Sequence, residues 1–138
     1  MIDRYRGRIS GPLLDRIDIQ VEVARLPAAA LRPDAPRGEP TADVRARVES
    51  ARARQHRRAG KPNARLDRGE TDAHCRLAAA DQLLLERAID QLQLSARAMH
   101  RILRVARTVA DLAGSDPIAT AHLTEALGYR SRESIGAR

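Results

Sequence analysis

The sequence predicts a mainly α-helical fold, a small bundle of about four helices preceded by a single β-strand. Three observations predict it. Residues 17 to 23, Ile-Asp-Ile-Gln-Val-Glu-Val, alternate strictly between apolar and polar, and no other stretch does so. From Thr41 onward, apolar residues recur at helical spacing between cap residues and glycine stops. Between these parts lie Pro27, Pro33, Pro36, Gly38 and Pro40, the composition of a linker. The expected organisation is therefore a strand-bearing segment over residues 1–25, a linker over 26–40, a helical domain over 41–130 and a flexible tail over 131–138.

A lone strand cannot satisfy its backbone groups or bury its apolar face. Either it pairs with another copy or its sheet lies outside this sequence. The second reading is preferred: the chain reads as a piece of a larger protein, with Met1 at an imposed boundary. A rigid bundle with a mobile or re-docked N-terminal segment is the expectation.

The first helix is expected from Thr41, as N-cap, to Ala59, with Gly60 and Pro62 as the stop. Its apolar stripe, Val44, Val48 and Ala51, is thin, and Arg45, Arg47, Arg52, Arg54, Arg57 and Arg58 surround it. That surround reads as a solvated face, or as a surface for nucleic acid or a neighbouring subunit. A second helix is expected over Asp72 to Gln93, with Leu77, Ala80, Leu84, Ala88 and Leu92 inward. A third runs from the N-cap Ser95 to about Ala113 and stops at Gly114. A fourth is expected to start with Asp116 as N-cap and Pro117 at the first helical position, with Ile118, Ala121 and Leu127 inward.

The third helix is the most informative. At 100° per residue, Met99, Ile102, Leu103, Ala106, Val109, Ala110 and Ala113 fall within about 120° of arc. Arg97, Arg101, Arg104 and Arg107 are assigned to the outer face, which reads as fully cationic. Arg97 stands at about the second helical position, where the macrodipole disfavours a cation but favours an arriving anion.

Composition bounds the function. The chain has 138 residues, 43% of them hydrophobic, enough for one domain with a core. No apolar run approaches the roughly 18 residues of a membrane span, and the N-terminus lacks the apolar stretch of a signal peptide. The one cysteine, Cys75, excludes an internal disulfide and fits a cytoplasmic setting. Lys and Arg total 25 and the net charge is +7, which suits an anionic partner or reflects an arginine-rich genome. Tyr5 and Tyr129 are the only aromatics, which argues against a base-stacking platform.

Several motifs are missing. The only Gly-Lys pair, Gly60-Lys61, is followed by Pro62 and preceded at the required spacing by Gln55, so the P-loop is absent. No H-E-x-x-H or G-x-S-x-G occurs, and His56, His74, His100 and His122 show no metal-ligand spacing with Cys75. No metal site is expected, and this chain alone should not turn over ATP.

Two runs carry a resemblance. Arg8 to Asp18, Arg-Ile-Ser-Gly-Pro-Leu-Leu-Asp-Arg-Ile-Asp, resembles the segment entering the last core strand of AAA+ modules in the magnesium-chelatase-like, ComM-type and MCM helicase group. Leu94 to Leu112 resembles the sensor-2 helix of the same group, and Ile118 to Arg130 its closing helix. The likeness covers roughly residues 5 to 132. It implies a helical AAA+ lid bundle preceded by a lone strand left from the α/β core. It also implies ATP with Mg2+ as cofactor of the complete protein, and rings of like subunits, often hexamers, with ATP at their interfaces. By that resemblance Arg16 is the arginine finger, reaching the neighbour's ATP, and Arg97 is sensor 2, touching the γ-phosphate from the lid. Arg101, one turn on, is expected to matter much less. ComM-type members are linked to DNA branch migration, whereas true chelatase motors drive magnesium insertion into a porphyrin. A self-contained basic helical DNA-binding module is the alternative from another class.

Overall fold

The computed structural model describes residues 16–21 and 23–130. It contains five α-helices: α1 Thr41–Ala59, α2 Arg68–His74, α3 Ala79–Leu92, α4 Ala96–Leu112 and α5 Thr120–Gly128. Short 3-10 turns lie at Ala28–Leu31 and Asn63–Arg65. No strand is present among the described residues. The expectations for residues 1–15 and for the tail at 131–138 lie outside the described residues.

The helix α4 is the axis of the bundle. The helices α1, α2 and α5 and the turn at Asn63–Arg65 pack against it, and α3 reaches the bundle through α5. The core joins Leu85 of α3, Ile102, Leu103, Ala106 and Ala110 of α4, and Leu123 and Ala126 of α5, with Leu66, Cys75 and Ile118 from the connections. The α4 residues from Ala98 round to Asp111 are buried, an arc of about 220° at the helical period. A helix enclosed on that scale has no broad outer face. Much of the cationic face expected from Arg97, Arg101, Arg104 and Arg107 therefore does not exist as such.

Helix ends follow local chemistry where no tertiary contact competes. Ser95 caps α4, its Oγ accepting from the amide of Ala98 at 3.2 Å. Gly60 ends α1 at φ 68°, in the left-handed region, with its amide on the His56 carbonyl. The capping residue of α1 is Pro40 rather than Thr41, which is the first helical residue.

Four expectations are corrected. Residues 17–21 and 23 form no strand: Ile19, Val21 and Val23 are exposed, because no second strand is there to complete a ladder. The helix expected over 72–93 is broken between His74 and Ala79. An unbroken helix would set Cys75 and Leu77 about 200° apart, whereas both reach the core through the break. Within α3 the fully buried residue is Leu85, while Ala80 is exposed. The last helix starts at Thr120, not at Asp116 and Pro117. An N-cap must offer its carbonyl to the first helical turn, but the carbonyls of Ser115 and Asp116 already accept from Arg107. With the start shifted, Leu123 and Ala126 turn inward and Ala121 is exposed.

Candidate nucleotide-sensing surface

The four arginines of α4 part company in the structure. Arg107 is 3% exposed. It donates to the carbonyls of Ser115 (2.7 Å) and Asp116 and pairs with Asp111 at 3.2 Å, which welds the α4–α5 connection to α4. At the helical period it lies only about 40° beyond Leu103, so its burial was readable as the edge of the apolar arc. Arg104 donates to the carbonyls of Ala64 and Leu66, both at 3.2 Å, and holds the 3-10 turn. Arg101 reaches across to the N-terminal segment. Arg97, in the first turn beside the Ser95 cap, is exposed.

Sequence reasoning missed a buried polar cluster behind this helix. Asp111, 2% exposed, accepts from Arg58 Nη1 and Nη2 at 2.8 and 2.6 Å and from Asn63 Nδ2 at 2.9 Å. Burial opposes ionisation of Asp111. The hydrogen bonds from Arg58 and Asn63 and the charges of Arg107 and Arg58 nevertheless hold its carboxyl below the usual range. Arg58 is thus not part of a solvated α1 face; it closes α1 onto α4. Arg54 pairs with Asp116 at 3.0 Å, and Arg54, Arg57, Arg58 and Asp116 line an open notch of about 350 Å³. Arg45, Arg52 and Arg57 remain exposed on α1.

Arg16 lies at the start of the described segment and is exposed. Its backbone carbonyl accepts from Arg101 Nη1, which also contacts Asp18 Oδ1 at 2.6 Å. Arg130, 2% exposed, donates from Nη2 to the Ile17 carbonyl at 2.7 Å. The Gln20 amide donates to the Tyr129 carbonyl at 3.2 Å. The segment that carries Arg16 is therefore docked on the bundle. The structure brings the root of Arg16 to Arg101, one turn along α4 from Arg97. No signal in the sequence pairs residues so far apart.

Among the described residues, no three His, Cys, Asp or Glu side chains gather as a metal ion would need, and no helix is long and apolar enough to cross a membrane. Cys75 is buried, and desolvation pushes its thiol up to about 11, so it is no thiolate nucleophile at neutral pH.

Comparison with known proteins adds the context. The family described as magnesium chelatase, subunit ChlI C-terminal, matches residues 38–130, and the family described as magnesium chelatase, subunit ChlI, matches residues 1–31. The chain is 49% identical over 130 residues to the competence protein ComM of Haemophilus influenzae, covering 94% of this chain and 26% of that protein. It is 44% identical over 132 residues to the uncharacterised protein YifB of Escherichia coli, covering 96% and 26%. It is 40% identical over 131 residues to the uncharacterised protein Rv2897c of Mycobacterium tuberculosis, covering 92% and 26%. The chain thus spans about a quarter of the length of these relatives.

Proposed function

The chain belongs to the magnesium chelatase subunit ChlI family, and we propose that it works there as the nucleotide-sensing lid of a ring-forming AAA+ ATPase acting on DNA. The observation that carries the lid reading is the division of labour on α4. Arg101, Arg104 and Arg107 bind protein groups, while Arg97, among the described residues, has no hydrogen bond or ion pair and stands exposed at the helix N-terminus. An exposed guanidinium beside unsatisfied backbone N–H groups suits an anionic phosphate.

ATP with Mg2+, bound by the complete subunit, supplies the phosphoryl group whose transfer drives the motor. Arg97 would hold the nucleotide phosphates from the lid side, and Arg16 would stabilise the charge that develops on the phosphoryl group in the adjoining subunit of a ring. The DNA-directed part of the reading is supported by the name of the Haemophilus relative, a competence protein, and by the exposed Arg45, Arg52 and Arg57. The family description itself favours a second reading, the lid of a magnesium-chelatase motor. The α1 cations also suit a plain basic DNA-binding module.

The test is made in the complete subunit. Arg16→Ala should leave nucleotide binding nearly intact and lower hydrolysis by about 10³ to 10⁵. Rings mixing it with a P-loop-inactivated subunit should regain activity, because the finger acts in trans. Arg97→Ala should weaken both nucleotide affinity and turnover. Unchanged turnover in both variants would remove the lid reading. DNA-stimulated hydrolysis with a steep salt dependence separates a DNA motor from a chelatase motor.

A further inference from the structure

We infer that Arg101 is a positioning residue that couples the two ATP sites flanking one subunit, by fixing the root of Arg16 to the same helix that carries Arg97. The inference rests on reading Arg16 as the finger and Arg97 as the nucleotide sensor, and it adds a mechanical link between them.

Three contacts carry it. Arg101 Nη1 bridges the Arg16 carbonyl and Asp18 Oδ1, the latter at 2.6 Å. Arg130 Nη2 holds the next carbonyl, that of Ile17, at 2.7 Å. The Gln20 amide is seated on the Tyr129 carbonyl at 3.2 Å. Two adjacent peptide carbonyls are thus caught by guanidinium groups, one from α4 and one from the chain following α5. These bonds grip backbone, so they place residue 16 whatever its side chain does, and the Arg16 residue remains exposed. The Arg101 side chain is only 19% exposed, so its charge-assisted bonds are weakly screened.

The consequence is geometric. Arg97 and Arg101 are one turn apart on a continuous helix, about 6 Å along its axis. A rotation of α4 that follows nucleotide contact at Arg97 carries Arg101, and Arg101 carries residues 16–18. The nucleotide in a subunit's own site thereby sets where that subunit's finger stands in its neighbour's site. Asp18 is 49% exposed on its side chain, so the link can be undone without opening the core.

The experiment has two parts. In this chain, Arg101→Ala should raise hydrogen exchange at the Gln20 amide at least tenfold while the α4 and α5 core amides keep their protection. Unchanged exchange at Gln20 would show that Arg101 does not anchor the segment, and would overturn the inference. In the complete subunit, Arg101→Ala should lower kcat by up to about 10²-fold, the scale of a displaced reacting group, with the nucleotide Kd of its own site unchanged. Arg101→Lys should restore part of the rate. Rings mixing Arg101→Ala with a P-loop-inactivated subunit should recover turnover as Arg16→Ala does, since the intact finger then comes from the other subunit. Recovery with Arg16→Ala but not with Arg101→Ala would place the Arg101 defect in its own site and overturn the coupling alone. No loss on Arg16→Ala would overturn the finger reading and the inference with it.

Discussion

Arg58 at the end of α1 and Asp111 near the end of α4, 53 positions apart, meet through two nitrogen–oxygen contacts of 2.8 and 2.6 Å. The carboxylate is held from a third side by Asn63 Nδ2 at 2.9 Å, and Asn63 Nδ2 is also 3.0 Å from Thr108 Oγ1. Arg107 approaches Asp111 from one turn back on α4. The thin apolar stripe of α1, with Val44 and Val48 exposed and only Ala51 and Gln55 buried, cannot by itself seat that helix.

Asp111→Ala would leave Arg107 buried without its counter-charge and would release α1. The expected loss is about 3–5 kcal/mol of unfolding free energy, the scale for breaking a buried pair from one side. Urea titration of the variant and the parent at neutral pH measures it. Because the folded carboxyl is held below its ordinary range, this stability is present above the unfolded value and is lost as pH falls through it. The difference between parent and variant should therefore shrink below about pH 4.

Cys75 gives the opposite slope at high pH. Its thiol moves from 9.0 to about 11 on burial, so the folded state keeps a proton that the unfolded state gives up. Stability should fall as pH rises between about 9 and 11, by at most about 2.7 kcal/mol at the upper end. Cys75→Ala should have a shallower slope over the same window. The native thiol should also resist iodoacetamide at pH 8 and react on unfolding.

Arg97→Ala in this chain should cost nothing. The side chain is exposed, sits at the positive end of the α4 dipole and opens no cavity when removed. A gain of roughly 0.3–1 kcal/mol is expected from relief of the dipole interaction. Arg107→Ala, on the same helix, should lose about 3–5 kcal/mol, because Asp111 and the carbonyls of Ser115 and Asp116 lose their donor. Thermal or urea unfolding of the two variants side by side separates them, and a loss above about 1.5 kcal/mol for Arg97→Ala would make that residue structural.

Gln93 joins α3 to α4 with φ 51°, the one non-glycine left-handed residue among those described. Gln93→Gly should relieve that backbone and raise stability by about 0.5 kcal/mol after the entropy of glycine is counted. Differential scanning calorimetry of the variant checks the sign.

Much of the bundle was legible in the sequence. The range of α1, the Ser95 cap and the Gly114 stop of α4 follow from local signals, since a cap or a left-handed glycine acts over a single turn. So does the inward set of α4, in which Ile102, Leu103, Ala106 and Ala110 are buried. The candidate site was legible only as two separate runs. Arg16 and Arg97 could be singled out by resemblance, and Arg97 also by its place on the helix, but nothing local joins residue 16 to residue 101.

The sequence by itself determined the helical class, the long helices and the family, because periodicity, caps and two matching runs are properties of neighbouring residues. The tertiary structure decided the rest. Arg107 took the carbonyls that Asp116 would have offered as an N-cap, so α5 starts at Thr120. Cys75 and Leu77 both sought the core, so the second helix broke in two. The alternating segment at residues 17–23, without a partner strand, docked its carbonyls on Arg101 and Arg130. In each case a long-range contact with a buried or charged group outweighs a local preference, which is typically worth only about 0.5–2 kcal/mol, and the residues that make such a contact lie too far apart in sequence to show it.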